Sequence, residues 1–519
     1  MLVLIGTIGI LAYGAFLLNP ANRGDWLPYA MVITAESVLI VHALLSMWTI
    51  LSGTTDPRDF AFYEASGSML RTREIARDGY TDSPERWTLY LRGEPISVDV
   101  FITTYGEDPA VIKRTVDAAM RMRGSHLTWV LDDGDSDEVR AIAAEAGARY
   151  VRRLGAGGAK AGNVNHALAL TSGEYFAIFD ADFVPAPDFL IETVPFFADP
   201  KVAFVQTPQT YGNLHNVISR GAAYMQSVFY RFIQPGRNRF NAAFCVGTNV
   251  IFRRQAINDV GGMYTDSKSE DVWTTLMLHE QGWRTIYIPM TLAVGEAPDT
   301  VEAYVKQQMR WATGGFEILF HRNPASPRRS LTLDQRLQYL VTASFYFTGI
   351  CPLLLLLVPP LEIYFDLRPM NLSTDVGTWL LYYAGFYVMQ IVLAFYTMGS
   401  FRWETLMLAT ASFPIYVAAL INVLVGKEQR WSATGDRSMA RSPFNFMVAQ
   451  VLFFVFLLLT SFVAIWRDAD NGVITLATAW NVTNTVILGS FIVAASRESR
   501  MMKARRRQAL RRDTTARIS

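Results

Sequence analysis

Long apolar runs at both ends of the chain limit its fold more than any other feature of the sequence. The first two are 2–18 and 27–51, and the later ones are 340–364, 379–398, 444–466 and 474–495. Each is long enough to cross a bilayer as a helix, the form that satisfies backbone hydrogen bonds in hydrocarbon. Hydrophobic residues make up 51% of the 519 residues and charged residues only 18%, which is too apolar for a soluble protein. The sequence therefore predicts a membrane protein with six spans and a separate globular part.

A seventh apolar run, 405–425, is predicted to lie in the membrane interface or to re-enter, without crossing. It contains Pro414, and basic residues flank it: Arg402, Lys427, Arg430, Arg437 and Arg441. Basic flanks favour the cytoplasmic side, so both ends of this run are expected there. The mostly acidic loop 468–472 is expected outside, and six spans then leave both termini and the globular part in the cytoplasm. The first run has no basic n-region or cleavage site, so we expect a retained helix.

Between the apolar ends, residues 97–295 alternate short apolar runs with helical segments. Helices are expected at segments such as 108–122 and 159–170, and strands at 97–104, 127–131, 149–152, 175–180 and 202–206. Such alternation predicts a mainly parallel, doubly wound α/β sheet. We divide the chain into N-terminal membrane helices 1–53, a linker with interfacial helices 54–94, an α/β domain 95–325, a membrane region 326–498 and a basic tail 499–519.

Polar residues follow the predicted strands where each strand ends. They are Thr103, Tyr105 and Glu107 after the first strand, Asp132 and Asp133 after the second, and Asp180 and Asp182 after the fourth. In open α/β sheets ligands bind at the carboxyl ends of the strands. Asp180 and Asp182 repel each other unless a divalent cation lies between them, and Mg²⁺ or Mn²⁺ takes one or two carboxylates plus substrate phosphates. A solvated acidic loop is the alternative interpretation.

Two further segments carry candidate residues at helix starts. Lys160 follows a glycine-rich turn, 155–158, and begins a helix, which is typical of a phosphate-binding loop, although a flexible loop with a solvated lysine has the same composition. Glu270 and Asp271 follow Ser269, a good N-cap residue, and acids there also complement the helix dipole. That position is expected to lower the pKa of Asp271 and weaken it as a base.

A helix predicted over 300–320 places Gln307, Arg310 and Trp311 on one face, at i, i+3 and i+4. Arginine binds an anion bidentately and tryptophan offers a stacking platform, so the face suits a phosphate and a sugar. An amphipathic helix with a buried tryptophan is the alternative. Elsewhere, a net charge of +1 gives no indication of nucleic-acid binding, and the two distant cysteines, Cys245 and Cys351, are predicted to be free buried thiols.

Four motifs in order resemble those of the processive family 2 glycosyltransferases of membranes, especially bacterial cellulose synthase and related curdlan, mixed-linkage, hyaluronan and chitin synthases. These motifs are Asp132-Asp133-Gly134, Asp180-x-Asp182, Ser269-Glu270-Asp271 and Gln307-x-x-Arg310-Trp311. The segments 159–163 and 205–208 are also similar to cellulose synthase segments. The resemblance implies a GT-A-like, Rossmann-like cytosolic domain joined to a helical membrane bundle in the inner membrane.

The resemblance also implies roles. Asp271 is the expected catalytic base, and Asp180 and Asp182 bind the metal. The nucleotide-sugar is expected on Thr103, Tyr105, Glu107, Asp132, Asp133, Lys160, Asp180 and Arg310, and the acceptor sugar on Trp311, Gln307, Cys245 and Glu270. Trp431, Thr434 and Arg437 lie in a loop, 427–443, that is similar to the gating loop of these enzymes. The implied partners are a UDP-sugar, the growing polysaccharide, the lipid bilayer and accessory export subunits.

Departures from the family pattern leave the product open. Ser269 replaces the usual threonine, and the segment 244–248 is spaced differently from the corresponding cellulose synthase motif, which leaves the linkage open. Arg507 and Arg511 have the spacing of a cyclic-di-GMP site, but we interpret them as a basic cytoplasmic tail. UDP-glucose is the expected donor. The alternatives are UDP-N-acetylglucosamine, transfer of one sugar to a lipid carrier, and a transporter whose domain only senses nucleotides.

Overall fold

The computed structural model of this protein describes residues 2–53, 56–371, 401–427 and 442–518, together with Val388, Ile391, Val392 and Phe395; beyond residue 504 it describes the backbone only. The predicted span 379–398 and the gating-like loop 427–443 therefore lie almost wholly outside the described residues. Two packed helices, α1 (Leu2–Leu18) and α2 (Trp26–Ser52), open the chain. The segment that follows contains α3 (Phe60–Ser68), α4 (Thr72–Arg77), β1 (Tyr90–Leu91) and β2 (Glu94–Pro95).

Ten further strands follow in chain order. They are β3 (Val98–Thr104), β4 (Leu127–Asp132), β5 (Arg149–Arg152), β6 (Tyr175–Asp180), β7 (Val184–Pro185), β8 (Val202–Gln206), β9 (Thr210–Tyr211), β10 (Val250–Arg253), β11 (Arg284–Tyr287) and β12 (Ala293–Gly295). Seven of them form one sheet in the order β11-β8-β10-β6-β3-β4-β5. All neighbours are parallel except β10, which runs antiparallel to both β6 and β8. The mainly parallel α/β sheet is confirmed, whereas the strand β10 at its centre was not predicted.

Helices cover both faces of this sheet. The helices between residues 109 and 280 are α5 (Pro109–Ala119), α6 (Asp137–Ala146), α7 (Ala159–Leu170), α8 (Phe189–Thr193), α9 (Val217–Val228), α10 (Gln234–Asn238), α11 (Arg254–Asp259) and α12 (Glu270–Glu280). Because side chains alternate along a strand, Val100 and Ile102 of β3 pack with α5 and α6, while Phe101 packs on the opposite face with α7 and α11. The domain is thus a three-layer α/β/α sandwich.

A second sheet, in the order β7-β12-β9, begins two residues after Asp182. Val294 of β12 pairs with Val184 of β7 on one side, and Gly295 of β12 pairs with Tyr211 of β9 on the other. This small sheet therefore carries Tyr211 towards the same edge of the domain as the acid pair.

The remaining elements are helices: α13 (Val301–His321), α14 (Leu333–Ser344), α15 (Cys351–Phe365), α16 (Trp403–Ala411), α17 (Phe413–Val425), α18 (Val448–Asn471) and α19 (Leu476–Ile518). Within the described part of the chain, four helices are long and apolar enough to cross a membrane: Trp26–Ser52, Trp403–Val425, Val448–Asn471 and Leu476–Ala504. The pair formed by α14 and α15 meets at a 42° bend and qualifies as a fifth if it is counted as one span.

The helix pair α16–α17 has the length and composition of a span, yet it packs against the α/β domain. Arg220 of α9 forms an ion pair with Glu404 at 2.9 Å. On the face of α13, the Tyr304 hydroxyl is 2.8 Å from Ser412 Oγ, and Tyr416 donates to Gln308 Oε1 at 2.8 Å. Its interfacial placement stays a prediction, which these polar contacts with the domain support.

Candidate functional site

The site begins where β3 and β6 end side by side. Thr103 Oγ1 donates to Asp180 Oδ1 at 3.2 Å, which fixes the carboxylate at the edge of the sheet. Lys160, in the first turn of α7, reaches the same carboxylate oxygen and also donates to the carbonyl of Gly247 at 2.7 Å. Burial would lower the pKa of Lys160, but the charge of Asp180 outweighs it and the pKa is raised. The lysine predicted for phosphate thus contacts a predicted metal ligand.

Asp182 and Glu107 extend this edge into a carboxylate cluster. Burial, together with the negative charges of Asp180 and Glu107, raises the pKa of Asp182 to about 8. Glu107 accepts from the backbone N–H of Tyr105 at 2.7 Å, and burial raises its pKa as well. The acids of this cluster thus disfavour one another's charged forms, an effect that additional positive charge would offset.

A divalent cation fits this donor set. The ammonium group of Lys160 forms an ion pair with Asp180, where the positive charge of a cation would otherwise lie. Asp182 provides a second carboxylate nearby. Among the residues that the structure describes, no group of three or more histidine, cysteine, aspartate or glutamate side chains could hold a metal. In proteins, Mg²⁺ and Mn²⁺ are commonly bound by one or two carboxylates, and substrate phosphates and water complete the coordination shell.

The acidic pair after β4, which is predicted to bind the nucleotide, has partners within the protein. Asp132 is 1% exposed, and its carboxylate accepts from Thr104 Oγ1, Gly134 N, Ser136 N and the Tyr150 hydroxyl at 2.6–3.2 Å. Because protein donors surround both oxygens, this side chain organises the turn after β4. Asp133 is also buried, in an ion pair with Arg153. Both carboxylates thus bond to other groups of the protein, which the sequence does not reveal, and their role in nucleotide binding stays a prediction.

Arg153 is a residue that the sequence analysis missed. Its guanidinium makes two bonds of 2.6 Å to the Asp133 carboxylate and also donates to the carbonyls of Gly157 at 2.6 Å and Ala159 at 2.7 Å. One side chain thus ties the turn after β4 to the glycine-rich turn that leads to Lys160. The only sequence signal is its position directly before that turn.

The start of α12 packs tightly against α13. Ser269 is the N-cap residue, but its hydroxyl makes no capping bond, contrary to the prediction. It lies instead against Gly314 of α13, where an added Cβ would be 2.0 Å from Ser269 Oγ. Only glycine permits this approach, which brings the acids of α12 beside the helix that carries Gln307, Arg310 and Trp311.

Asp271 does not have the lowered pKa expected at a helix start. Burial, followed by the charge of Glu270, raises its pKa to about 7, and the bond from Val272 N at 2.8 Å offsets this only in part. Burial likewise raises the pKa of Glu270, against the opposing charges of Arg310 and Lys160. A carboxyl that titrates near neutral pH is better suited to accept a proton than the sequence analysis indicated.

The segment that contains Cys245 borders the same acids. Gly247 has a φ of +89°, and a Cβ there would lie 3.2 Å from Asp271 Oδ2 and 3.7 Å from Lys160 Nζ. Cys245 is 1% exposed, and Gly247 N donates to its sulfur at 3.3 Å. Cys245 is therefore close to Asp271 and buried beneath the site, and burial raises its thiol pKa.

The face of α13 completes the site. Arg310 is half-buried, and its charge acts on Glu270, Asp271 and Tyr211. Gln307 is 9% exposed, and its Oε1 has no hydrogen-bond partner in the described part of the chain. Trp311, on the same face, is half-buried. The structure thus brings the α13 face and the acids of β6 and α12 together, while Trp431, Thr434 and Arg437 lie outside the described residues.

Comparisons with known proteins give two family models and several similar proteins. Residues 95–314 match the family model "Glycosyltransferase like family 2", and residues 257–409 match the model "Cellulose synthase". Cellulose synthase catalytic subunits of Xanthomonas axonopodis pv. citri and Pseudomonas fluorescens are 32% and 30% identical over 79% and 81% of this chain. The chain spans 59% of the length of each. A mannosyltransferase from Pyrobaculum calidifontis, solved with GDP-Man and Mn²⁺, matches 78% of the chain and all of its own at 17% identity and a TM-score of 0.48.

Proposed function

We propose that the chain polymerises a UDP-sugar into a β-linked polysaccharide, because residues 95–314 match the glycosyltransferase family 2 model and residues 257–409 match the cellulose synthase model. The proposed donor is UDP-glucose, and the proposed reaction is an inverting, processive transfer coupled to passage of the product across the membrane. The observation that carries the proposal is the meeting of Lys160, Asp180, Asp271 and Arg310 at one edge of the sheet.

The donor half of the site is the edge formed by β3, β6 and α7. Asp180 and Asp182 would hold Mg²⁺ or Mn²⁺, which when bound neutralises the diphosphate. Lys160 and Arg310 are the protein cations that stabilise the leaving diphosphate, and such fixed charges supply the largest share of catalysis in many enzymes. Thr103 and Lys160 orient Asp180. Tyr105 and Glu107 line the donor side, and Asp132, Asp133 and Arg153 hold its turns in place.

The acceptor half lies between α12 and α13. Asp271 accepts the proton of the acceptor hydroxyl as that oxygen attacks C1 of the donor sugar, and the diphosphate leaves from the opposite face. Attack from the opposite face inverts the configuration and gives a β-linkage. Trp311 stacks on the terminal acceptor sugar, while Gln307, Glu270 and the buried Cys245 shape its surroundings.

The membrane helices are proposed to form the passage for the product. Few charged side chains would grip a neutral polymer, while aromatic rings can stack on sugar faces. We propose the α/β domain over 95–325, the passage over 326–498 and the tail over 499–519, with the domain and both termini on the cytoplasmic side of the inner membrane. Accessory export subunits are proposed partners on the opposite side.

The deciding experiment gives purified full-length protein in lipid nanodiscs each UDP-sugar in turn with Mg²⁺ or Mn²⁺. We expect UDP release and a polymer with UDP-glucose, and digestion by linkage-specific hydrolases then identifies the bond. The Asp271→Asn variant should lower both about 10²- to 10⁴-fold. Asp266→Asn, which changes an exposed aspartate in the loop before α12, should leave both unchanged. Polymer from UDP-N-acetylglucosamine alone, a single sugar on lipid, or no turnover with any donor would each contradict the proposal.

A further inference from the structure

A chain of polar side chains beside the acid pair has no role in the mechanism above. Tyr211 of β9 donates to Gln209 Oε1 at 2.8 Å, and its hydroxyl is also 3.0 Å from Gln226 Oε1. Gln209 is oriented in turn by its bond to the carbonyl of Val246 at 3.1 Å. Burial raises the pKa of Tyr211, so its hydroxyl keeps its proton and acts as a donor.

This geometry leaves Gln226 incompletely satisfied. A phenol has one proton, and the amide oxygen of Gln209 already accepts it at the shorter distance. Gln226 Nε2 is buried and has no partner among the described residues. Reversing the amide of Gln226 would pair Nε2 with the Tyr211 oxygen and would leave Oε1 unpaired instead. In either orientation one buried polar atom of Gln226 has no protein partner, an arrangement that destabilises the protein unless water or a ligand bonds to that atom.

A second unpaired amide lies on the neighbouring helix. The hydroxyl of Tyr304 in α13 contacts Met225 Sδ in α9 at 3.5 Å. Tyr304 lies one helical turn before Gln307, and Met225 directly precedes Gln226. Gln307 is 9% exposed, with Oε1 unpartnered in the part of the chain that the structure describes. The charges of Asp180, Asp182 and Arg310 all act on Tyr211. Gln226 and Gln307 thus lie on helices that contact each other, and Tyr211, which bonds to Gln226, is close enough to the acid pair and to Arg310 for their charges to act on it.

We propose that Gln226, held in place by Tyr211, acts with Gln307 to bind a hydroxyl of the acceptor sugar, and so helps to determine which acceptor is extended. A hydroxyl donates and accepts at once, so one hydroxyl can satisfy an amide oxygen and an amide nitrogen together. A site built on such bonds strongly rejects an analogue that lacks the hydroxyl. The inference rests on the proposed transferase function, which it deepens by adding Gln226 and Tyr211 to the acceptor site.

The first test measures oligosaccharide binding by calorimetry, in the presence of UDP, on the full chain in nanodiscs. The probe is a β-linked glucose oligosaccharide. We expect Gln226→Leu to weaken binding roughly tenfold to hundredfold and Tyr211→Phe to weaken it several-fold, with UDP affinity unchanged in both. Gln450→Leu is the matched control, because the amide of Gln450 bonds to the Ala411 carbonyl at 2.9 Å among the membrane helices. Thermal unfolding of each variant verifies folding.

The second test identifies the hydroxyl. Oligosaccharides that lack one hydroxyl of the terminal residue are compared on the wild type and on Gln226→Leu. Removal of one particular hydroxyl should weaken oligosaccharide binding to the wild type by the same factor as Gln226→Leu does. Removal of that hydroxyl should not weaken binding to the Gln226→Leu variant any further. Equal losses in both proteins at every position, a weakened UDP affinity, or no oligosaccharide binding to the wild type would overturn the inference. Binding without turnover of any UDP-sugar would instead contradict the proposed function and leave the acceptor site standing.

Discussion

Asp271 illustrates how burial can reverse the effect of a helix terminus on a single side chain. Its place in the first turn of α12 favours the charged carboxylate, yet removal from water favours the neutral acid more strongly, and its pKa rises to about 7. A proton acceptor with that pKa is half-ionised near neutral pH. The residue can therefore exchange a proton under working conditions, which a carboxylate with an ordinary pKa near 4 does less effectively.

The pKa of Asp271 predicts how the proposed transferase activity depends on pH. Below about pH 7 Asp271 is protonated and cannot accept a proton, and above it the carboxylate is available. We therefore expect the rate of UDP release to fall as the pH is lowered from 8 to 6, with a half-point near 7, and not to stay level until pH 4 or 5. A rate that is flat down to pH 5 would remove Asp271 from the role of base. Substitution by asparagine should lower the rate about 10²- to 10⁴-fold.

Arg153 is a second residue whose contribution to stability depends on its surroundings. It shares a buried ion pair with Asp133, and their side chains are only 9% and 4% exposed. Removing one partner leaves the other charge buried and unpaired, which costs about 3–5 kcal/mol.

We expect Arg153→Ala to lower the free energy of unfolding of the α/β domain by that amount and to raise the KM for the UDP-sugar, because the turn before Lys160 loses its tether. Chemical denaturation and initial rates measure the two effects. Arg149→Ala removes an exposed arginine of β5 and is the matched control. Equal stability of the two variants would show that the tether is dispensable.

At the scale of elements, the site depends on how closely α12 approaches α13. The approach is possible because Gly314 has no side chain where Ser269 lies. A methyl group at position 314 would push the two helices apart. It would therefore move Glu270 and Asp271 of α12 away from Arg310 of α13.

A Gly314→Ala substitution should therefore destabilise the protein by about 1–3 kcal/mol and reduce UDP release more than UDP binding. Thermal unfolding and nucleotide binding in nanodiscs measure these effects. Gly67→Ala is the control, since a Cβ at that helical position meets nothing within 4 Å. Pairing Gly314→Ala with Ser269→Gly should restore part of the activity, and failure to do so would indicate a different cause.

The elements also indicate which features a sequence can reveal. The strands β3, β4, β5, β6 and β8 follow from buried apolar runs, and the acids after them from strand-end position. The direction of β10 could not be predicted, because Val250–Arg253 is apolar in the same way whether it runs parallel or antiparallel. The hydrogen bonds that Asp132 accepts could not be predicted either, because two of their donors, Thr104 and Tyr150, are distant in the sequence. Residue type thus located the site, whereas burial and partners decided what each residue does.

For the whole molecule, the arrangement in the bilayer hinges on the helix pair α16–α17. Its length permits a crossing, and it contacts both α9 and α13 of the α/β domain and α18 among the membrane helices. We expect single cysteines at positions 402, 427 and 503 to react with a membrane-impermeant maleimide from the cytoplasmic side, and one at 471 from the other side. The native Cys245 and Cys351 are buried, so they give a low background. Opposite reactivity of positions 402 and 427 would mean that this helix crosses.

The central position of β10 has a consequence for how the chain is made. Its neighbours β6 and β8 leave the ribosome before it does. They cannot be bridged by β10, which pairs with both of them, until residue 253 has emerged. Until then two strand edges stay open, and open edges invite pairing with other nascent chains. Any gene truncation upstream of codon 253 should yield an insoluble fragment, so expression screens of this protein are best begun with pieces that extend past Tyr287.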